Sequence, residues 1–163
     1  MGPAGLAFPL PDPLDPLTGG FWQAASEGRL AIPRCRRCGR LVWYPQPTCP
    51  ACAAPEPEWA TVSGRGTLYT WTVVHRALLP EYAGSLPFTV GLVALDEDPS
   101  VRLVTRLADC SDEHLRAGMD LEVCFRELRY PPADAGITAP FFRSASARSA
   151  PAPRSPRERS DQP

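Results

Sequence analysis

The sequence predicts a mainly β protein with one short helix, a small cysteine-bearing ribbon and a barrel of short strands. Three observations lead to this prediction. Four of the six cysteines form two closely spaced pairs within residues 31–57. From Trp59 to about Leu128 the chain alternates in the manner of strands and is rich in Val, Thr, Leu and aromatic residues. Before the ribbon, one short segment has the apolar spacing of a helix.

The first 30 residues predict an extended arm followed by a helix. Residues 1–17 carry five prolines, which favour extended chain. Residues 18–30 have helical spacing, and Thr18 can begin the helix. Because so short a helix is not stable alone, its Phe21 and Trp22 side chains are expected to dock on another surface.

The segment 58–130 predicts a small Greek-key barrel. Turn signals separate five strand-like runs, which are WATVS, GTLYTWTVVHR, FTVGLVALDE, VRLVTRLA and LEVCFREL. A short helix is predicted over residues 111–118, where Ser111 can cap and two acidic residues suit the first turn. Several strands, one short helix and a last strand are the order expected of an OB-type barrel.

The segment 131–163 is expected to be a C-terminal extension. From about residue 143, directly after Phe142, this extension holds no large apolar side chain. Such a tail cannot bury enough surface to offset its ordering entropy, so we expect disorder there.

The two cysteine pairs have the spacing of a tetrahedral metal site. Cys35, Cys38, Cys49 and Cys52 follow the pattern C-x2-C-x10-C-x2-C, and Gly39 supplies permissive backbone after the first pair. We expect one structural Zn²⁺ held by four thiolates, with iron as the less favoured metal. Four protein thiolates leave no open position to activate water. The alternative, reactive dithiols, would need a thioredoxin-like βαβ context that the sequence lacks.

Four arginines surround the first cysteine pair and leave two interpretations open. They offset the net negative charge of a zinc tetrathiolate, or they form a basic rim for the phosphates of coenzyme A or a nucleic acid. All 17 basic residues of the chain are arginine and its net charge is −1, so no general attraction to polyanions is predicted. The four residues are Arg34, Arg36, Arg37 and Arg40.

Few other residues suggest chemistry. By the period of a strand, His75 shares a face with Tyr69 and Trp71 and is either a partner-facing donor or a solvated strand end. The two aromatics suggest a nucleic-acid platform, but acidic residues balance the strand arginines and disfavour it. Cys110 and Cys124 are interpreted as small buried thiols. The sequence has no nucleophile motif, P-loop or dinucleotide fingerprint, so we do not expect an independent enzyme.

The sequence also favours a cytoplasmic protein that does not cross a membrane. No apolar run approaches the roughly 20 residues that a spanning helix needs. The N-terminus is broken by prolines and lacks the basic region of a secretory signal. In this compartment reduced cysteines serve as metal ligands or buried groups.

The order of these segments resembles a known family. The Phe-Trp helix is followed by GRLAIPRCRRCGRLVWYPQPTCPAC, WATVSGRGTLYTWTVVHR, PFTVGLVALDED and AGMDLEVCFREL. Over about residues 18–142 this arrangement is similar to the accessory-protein family that joins a rubredoxin-like zinc ribbon to an OB fold and is catalogued as a domain of unknown function.

The resemblance implies a non-catalytic subunit of an acyl-CoA enzyme. Members of the family pair with thiolase-like proteins, including retro-aldolases of steroid side chains, or with acyltransferases, and a related domain is fused to MaoC-like enoyl-CoA hydratases. The chain is thus expected to bind and stabilise such an enzyme and to help form its acyl-CoA site, in steroid, lipid or polyketide metabolism. The four cysteines match the family's metal ligands. Expected contacts with partner or ligand are Phe21, Trp22, Arg37, Arg40, Trp43, Tyr44, Trp71 and His75.

Two other functions stay open at this point. Zinc ribbons and OB folds both occur in proteins that bind single-stranded nucleic acid, which would show affinity that falls steeply with salt. The chain could also carry acyl-CoA without any enzyme.

Overall fold

A computed structural model describes residues 10–77, 80–129 and 136–145 of the chain. Within them, β1 and β2 form a two-stranded sheet, and the other five strands form a second sheet in the order β5-β4-β3-β6-β7. Two 3₁₀ turns cover Pro80–Ser85 and Asp112–His114. The helix and strands are α1 (Gly19–Ser26), β1 (Ala31–Arg34), β2 (Glu58–Thr61), β3 (Arg65–Val74), β4 (Phe88–Leu95), β5 (Arg102–Arg106), β6 (Asp120–Leu128) and β7 (Ile137–Ser144).

The five-stranded sheet curls into a nearly closed OB-type barrel. Its four successive ladders are antiparallel. Its two ends meet through a parallel bridge between Leu107 and Phe142, and the Thr105 hydroxyl donates to the Pro140 carbonyl at 2.8 Å across the same seam. The Phe142 side chain is fully buried inside. The predicted fold class, a helix and ribbon followed by a small OB-fold barrel, is confirmed.

The barrel extends past the boundary expected from the sequence. The expected barrel ended at residue 130, whereas β7 pairs along β6 from Ile137 to Ser144, and this pairing also includes residues 143 and 144 of the expected disordered tail. Pro140 interrupts the strand pattern and conceals β7 in the sequence. The Pro140 carbonyl points toward β5 at the seam, and the nitrogen of the same residue points to the same side of the strand. The missing N–H of Pro140 therefore removes no bond from the β6–β7 ladder. Residues 146–163 lie outside the described residues.

The ribbon sheet also differs from expectation. Residues of the run WATVS pair with β1, with Ala60 opposite Ile32, instead of joining the barrel. The loop between the cysteine pairs forms only an isolated bridge between Leu41 and Arg34. The prolines at 45 and 47 stop this loop from extending into a ladder, so the strands that close the ribbon come from outside the cysteine pairs.

The helix predicted over 111–118 is reduced to the 3₁₀ turn Asp112–His114. Leu115 already has extended backbone, with φ −74° and ψ 131°, and Gly118 has φ +81°. The segment has too few apolar residues to bury a helical face, so a full helix gains no tertiary support. A hydrogen bond from the Thr89 hydroxyl to the Asp112 carboxylate, 2.7 Å long, attaches the turn to β4.

The described part of the predicted arm forms a hydrogen-bonded turn directly before α1. The Asp15 carboxylate accepts bonds from the Leu17 amide at 2.9 Å and from the Thr18 amide and hydroxyl at 2.6 and 2.9 Å. The Thr18 amide contributes most to a lowered pKa of Asp15. Thr18 makes no side-chain capping bond, and the amide of Gly19, the first residue of the helix, donates to the Asp15 backbone carbonyl at 2.8 Å. Residues 1–9 lie outside the described residues.

One apolar core joins the helix, the ribbon sheet and the barrel. Phe21 of α1 and Ile32 of β1 belong to the same buried cluster as Leu68, Leu121 and Phe142 of the barrel. The three parts therefore share their main source of stability, because buried apolar area is the dominant favourable term in folding.

Gly66 is a close-packed point of this barrel. It pairs with Leu95 and Leu121 on both sides, and a Cβ atom there would overlap the backbone carbonyl oxygen of Ala94. We expect Gly66→Ala to destabilise the protein by about 2 kcal/mol, because backbone cannot move aside as a flexible side chain can. Urea unfolding measures the change. Gly84→Ala is the matched control, since its Cβ would meet open space, and a shift of its midpoint equal to that of Gly66→Ala would contradict the steric explanation.

Candidate metal centre and aromatic groove

The two cysteine pairs converge on one point. The four Sγ atoms all lie within 4.8 Å of one another. The Sγ atoms of Cys35 and Cys52 are 3.6 Å apart, as are those of Cys38 and Cys49. In a tetrahedral zinc site with bonds of about 2.3 Å, neighbouring sulfurs lie roughly 3.8 Å apart. The donor set and spacing therefore fit one structural zinc, and the cofactor prediction is confirmed.

Both pairs are folded as equivalent knuckles. In the first, the Gly39 amide donates to the Cys35 carbonyl at 2.9 Å, and in the second the Ala53 amide donates to the Cys49 carbonyl at 2.8 Å. Gly39 and Ala53 both have positive φ, 73° and 56°. Glycine adopts this conformation without strain, which explains its position after Cys38, while Ala53 adopts it at some cost.

Hydrogen bonds from the knuckle backbone favour the thiolate form at Cys35, whereas at Cys52 the bond from the Ala54 amide is outweighed by burial and the neighbouring thiols, which raise the pKa to about 11. The amide of Cys38, and then that of Arg37, donate to the Cys35 sulfur and lower its pKa to about 6 although burial opposes the shift. Cys35 and Cys49 are buried together with Val42. Val42 thus provides an apolar shield for the metal centre.

The arginines around the first knuckle are mostly engaged within the chain. Arg36 forms an ion pair with Glu58 at 3.0 Å, and Arg34 donates to the Gly39 carbonyl at 3.0 Å. Among the residues described, Arg37 has no ion-pair partner. A basic rim reserved for phosphates is therefore not favoured by this arrangement.

The acidic turn between β4 and β5 faces these arginines. Burial raises the pKa of Glu97, but hydrogen bonds from Ser63, between β2 and β3, and the charge of Arg34 outweigh this effect and lower the pKa. Bonds from Ser100, with a smaller contribution from Arg40, lower the pKa of Asp98. The turn thus provides charge that complements the knuckle across the boundary between ribbon and barrel, a third role for the arginines that the sequence did not suggest.

A row of aromatic rings lines a groove beside the metal centre. The ring centroids of Phe21 and Trp22 are 5.0 Å apart, those of Phe21 and Trp43 5.4 Å, and those of Trp43 and Tyr44 5.3 Å. The structure brings together these four predicted contact residues. They form one wall of a groove of about 180 Å³, which we call the aromatic groove.

The other wall of the aromatic groove comes from the barrel seam. Val104 and Thr105 of β5 and Pro140 of β7 line it. Val104 is 75% exposed and Tyr44 is 58% exposed, so the groove has an open apolar rim. This wall is not evident from the sequence, because only barrel closure brings β5 and β7 beside the ribbon, although an apolar Val104 on an outward strand position was a detectable signal.

The other predicted contacts lie outside the groove. A β-bulge between Leu68 and Thr70 makes Tyr69 an extra residue, which reverses the facing of the residues after it. Trp71 is half-buried against the core, Tyr69 faces outward, and His75 is exposed beyond the end of β3. The predicted common face of these three residues is therefore wrong.

The described part of the chain contains no helix with the length and apolar character needed to cross a membrane.

The fold and the four-thiolate centre define a zinc-ribbon/OB-fold protein. Residues 22–58 match the rubredoxin-like zinc ribbon domain of ChsH2, and residues 59–126 match the C-terminal OB-fold domain of ChsH2. The chain is also 31% identical over 106 residues to a DUF35 domain-containing scaffold protein of Methanocaldococcus jannaschii, covering 64% of this chain and 73% of that protein. The chain belongs to this DUF35 family.

Two further matches concern acyl-CoA enzymes or an aldolase by name. A probable enoyl-CoA hydratase alpha subunit of Thermomonospora curvata is 35% identical over 126 residues, which are 77% of this chain but 37% of that relative. A solved chain of the Ltp2-ChsH2(DUF35) aldolase superposes with a TM-score of 0.69 at 30% identity, covering 83% of this chain and 99% of that chain.

The metal centre leads to a direct prediction. Cys49→Ser replaces a buried thiolate, so purified protein should lose most of its one zinc per chain and unfold at a lower temperature. Elemental analysis and thermal unfolding measure both effects. Cys110→Ser is the control, because Cys110 lies outside the four-cysteine group, so this variant should keep one zinc per chain. Equal zinc content in the two variants would contradict the assignment.

Proposed function

We propose that this chain is a non-catalytic accessory subunit that binds and stabilises a thiolase-like acyl-CoA enzyme and helps to form its acyl-CoA site. The observation that carries the proposal is the similarity to a chain of the Ltp2-ChsH2(DUF35) aldolase, which extends over nearly all of that chain. The scaffold names of the archaeal relatives support the same role. We place this accessory role in the cytoplasm, in steroid, lipid or polyketide metabolism.

The size of the aromatic groove suits a docking contact better than a site for a whole acyl-CoA. Its volume of about 180 Å³ is smaller than the roughly 300–1,000 Å³ of pockets that hold whole small-molecule ligands. It accommodates one or two side chains of a partner, or a segment of an acyl chain whose remainder lies on the partner. Aromatic residues at the centre of an interface contribute strongly to binding, so Trp22, Trp43 and Tyr44 are the proposed anchors.

The metal centre supports a structural rather than a chemical contribution. Four cysteine thiolates complete the coordination of zinc, which then has no position for water or substrate. When bound, the metal cross-links the two knuckles and so holds the loop with Trp43 and Tyr44 in place. The acyl-CoA chemistry is therefore assigned to the partner enzyme.

A MaoC-like hydratase is a second candidate partner. The relative from Thermomonospora curvata bears the name of an enoyl-CoA hydratase subunit, and this chain spans only 37% of its length. The remainder of that relative lies outside the match, and its name is what suggests a hydratase as a partner. This second partner is compatible with a thiolase-like enzyme acting on the same acyl-CoA.

Co-expression with a thiolase-like enzyme encoded beside this chain tests the proposal. We expect the two proteins to co-elute on size exclusion. The enzyme should unfold at a higher temperature in the complex, because a partner that binds only the folded enzyme stabilises the folded state. Two proteins that are each soluble and never co-elute would refute a scaffold role. A neighbouring hydratase, tested in the same way, distinguishes the second candidate partner.

The aromatic groove can be tested separately by a matched pair of truncations. Tyr44→Ala removes an exposed ring of the groove and should weaken the complex by about tenfold, since central aromatic contacts commonly contribute more than 1 kcal/mol. Leu14→Ala removes an exposed apolar side chain that does not line the groove and should leave binding unchanged. Titration calorimetry provides both constants. Equal losses would show that the groove is not the contact.

The contribution to the acyl-CoA site predicts where ligand binds. Calorimetry with acetyl-CoA or a longer acyl-CoA should detect binding to the complex and none to the isolated chain at the same concentrations. Tight binding to the isolated chain would instead support the carrier hypothesis.

A further inference from the structure

The outward side of β3, β4 and β5 forms a second surface, which we call the outer sheet face. Residues opposite one another in an antiparallel sheet point to the same side. The central row across the three strands is Thr70, Leu92 and Val104. The rows on either side of it end on β5 at Arg102 and Arg106. The face thus has an apolar centre and a cation at each end.

Both cations are held on aromatic rings. The guanidinium carbon of Arg102 lies 3.8 Å from the ring centroid of Tyr69, and that of Arg106 lies 4.1 Å from the centroid of Phe88. These distances are within the range of cation–π attraction. The bulge in β3 turns Tyr69 outward, and its ring is 51% exposed beneath Arg102. The guanidinium groups are therefore fixed before any partner binds, which lowers the entropy lost on binding.

Neither arginine is neutralised within the described residues. Ion pairs there engage five other arginines, which are Arg29, Arg36, Arg126, Arg129 and Arg143. Asp109 and Asp112 line the same depression as Arg106, but Asp109 is paired with Arg126, and no ion pair joins Asp112 to Arg106 among the residues described. The outer sheet face therefore has two fixed positive charges available for acidic groups.

We propose that the outer sheet face binds an acidic-rimmed apolar surface of the partner enzyme, an inference that rests on the proposed function. An apolar side chain of the partner covers Leu92 and Val104, and two of its carboxylates reach Arg102 and Arg106. Four residues along a strand separate these arginines by roughly 13 Å, which sets the spacing of the carboxylates. Val104 also lines the aromatic groove, so the two surfaces form one continuous footprint.

The composition of the face favours a protein over other occupants. Single-stranded nucleic acid needs a continuous basic track and open ring faces, whereas the residues between the arginines are apolar or hydroxyl-bearing and Arg102 covers the Tyr69 ring. A second copy of the chain, paired face to face about a two-fold axis, would place arginine opposite arginine. A partner with carboxylates is electrostatically complementary.

Charge reversal on the face tests the proposal. We expect Arg102→Glu and Arg106→Glu each to weaken binding of the co-expressed thiolase-like enzyme by about tenfold or more, with a larger loss at low salt than at high salt. Arg116→Glu is the matched control, because it makes the same charge change at an exposed position outside the face. Calorimetry at two salt concentrations measures the constants, and thermal unfolding verifies that each variant is folded.

The outcomes separate this inference from the proposed function. If both variants bind as the wild type does while Tyr44→Ala weakens the complex, the outer sheet face is not a contact although the scaffold role stands. If the wild-type chain itself fails to bind, the proposed function fails and takes this inference with it. Retention of a labelled 20-nucleotide thymidine strand at low salt that Arg102→Glu abolishes would replace the protein partner with a nucleic acid.

Discussion

The cross-link between the two cysteine knuckles is the constraint on which the surface of this protein depends. The segment from residue 35 to residue 57 adds Leu41 and part of Trp43 to the main core, and its own buried cluster consists of Val42 and two of the cysteines. So small a cluster cannot hold a proline-rich loop in one conformation, whereas a tetrahedral metal fixes four points of it at once. Trp43 and Tyr44 lie on the loop between these points. Metal binding and the contact of Trp43 with Phe21 therefore both hold this loop in place.

The ribbon is held against the barrel by two different kinds of interaction. Apolar burial joins them through Ile32, which is fully buried in the same cluster as Phe142. Charge complementarity adds a longer-range attraction between the acidic turn that joins β4 to β5 and the arginines of the first knuckle. Burial supplies most of the stability, and the fixed charges favour one orientation of the two parts. A groove whose walls come from both parts requires that orientation to be fixed.

Local patterns in the sequence were sufficient to predict the ribbon, four of the barrel strands and the four cysteines, because each of these features is encoded by near neighbours. Three of the failures depend on distant contacts. β7 was missed because Pro140 is tolerated only where its nitrogen faces the seam, which is known once the sheet order is known. The bulge at Tyr69 inverted the expected faces of β3, since an extra residue leaves no trace in an alternating pattern. The wall of the aromatic groove that β5 and β7 contribute could not be predicted, because it forms only when the barrel closes.

The place of Val104 shows why the barrel seam matters for function. The parallel bridge between Leu107 and Phe142 brings the edge of β5 next to β7, and Val104 then lies where the aromatic groove meets the outer sheet face. An isolated apolar side chain at 75% exposure carries no meaning by itself. Between a row of aromatic rings and two fixed cations, it connects surfaces contributed by the helix, the ribbon and the barrel. A partner that covers Val104 would contact the helix, the ribbon and the barrel together. A zinc site without an open position would then affect the partner's catalysis only by fixing the shape of this contact surface.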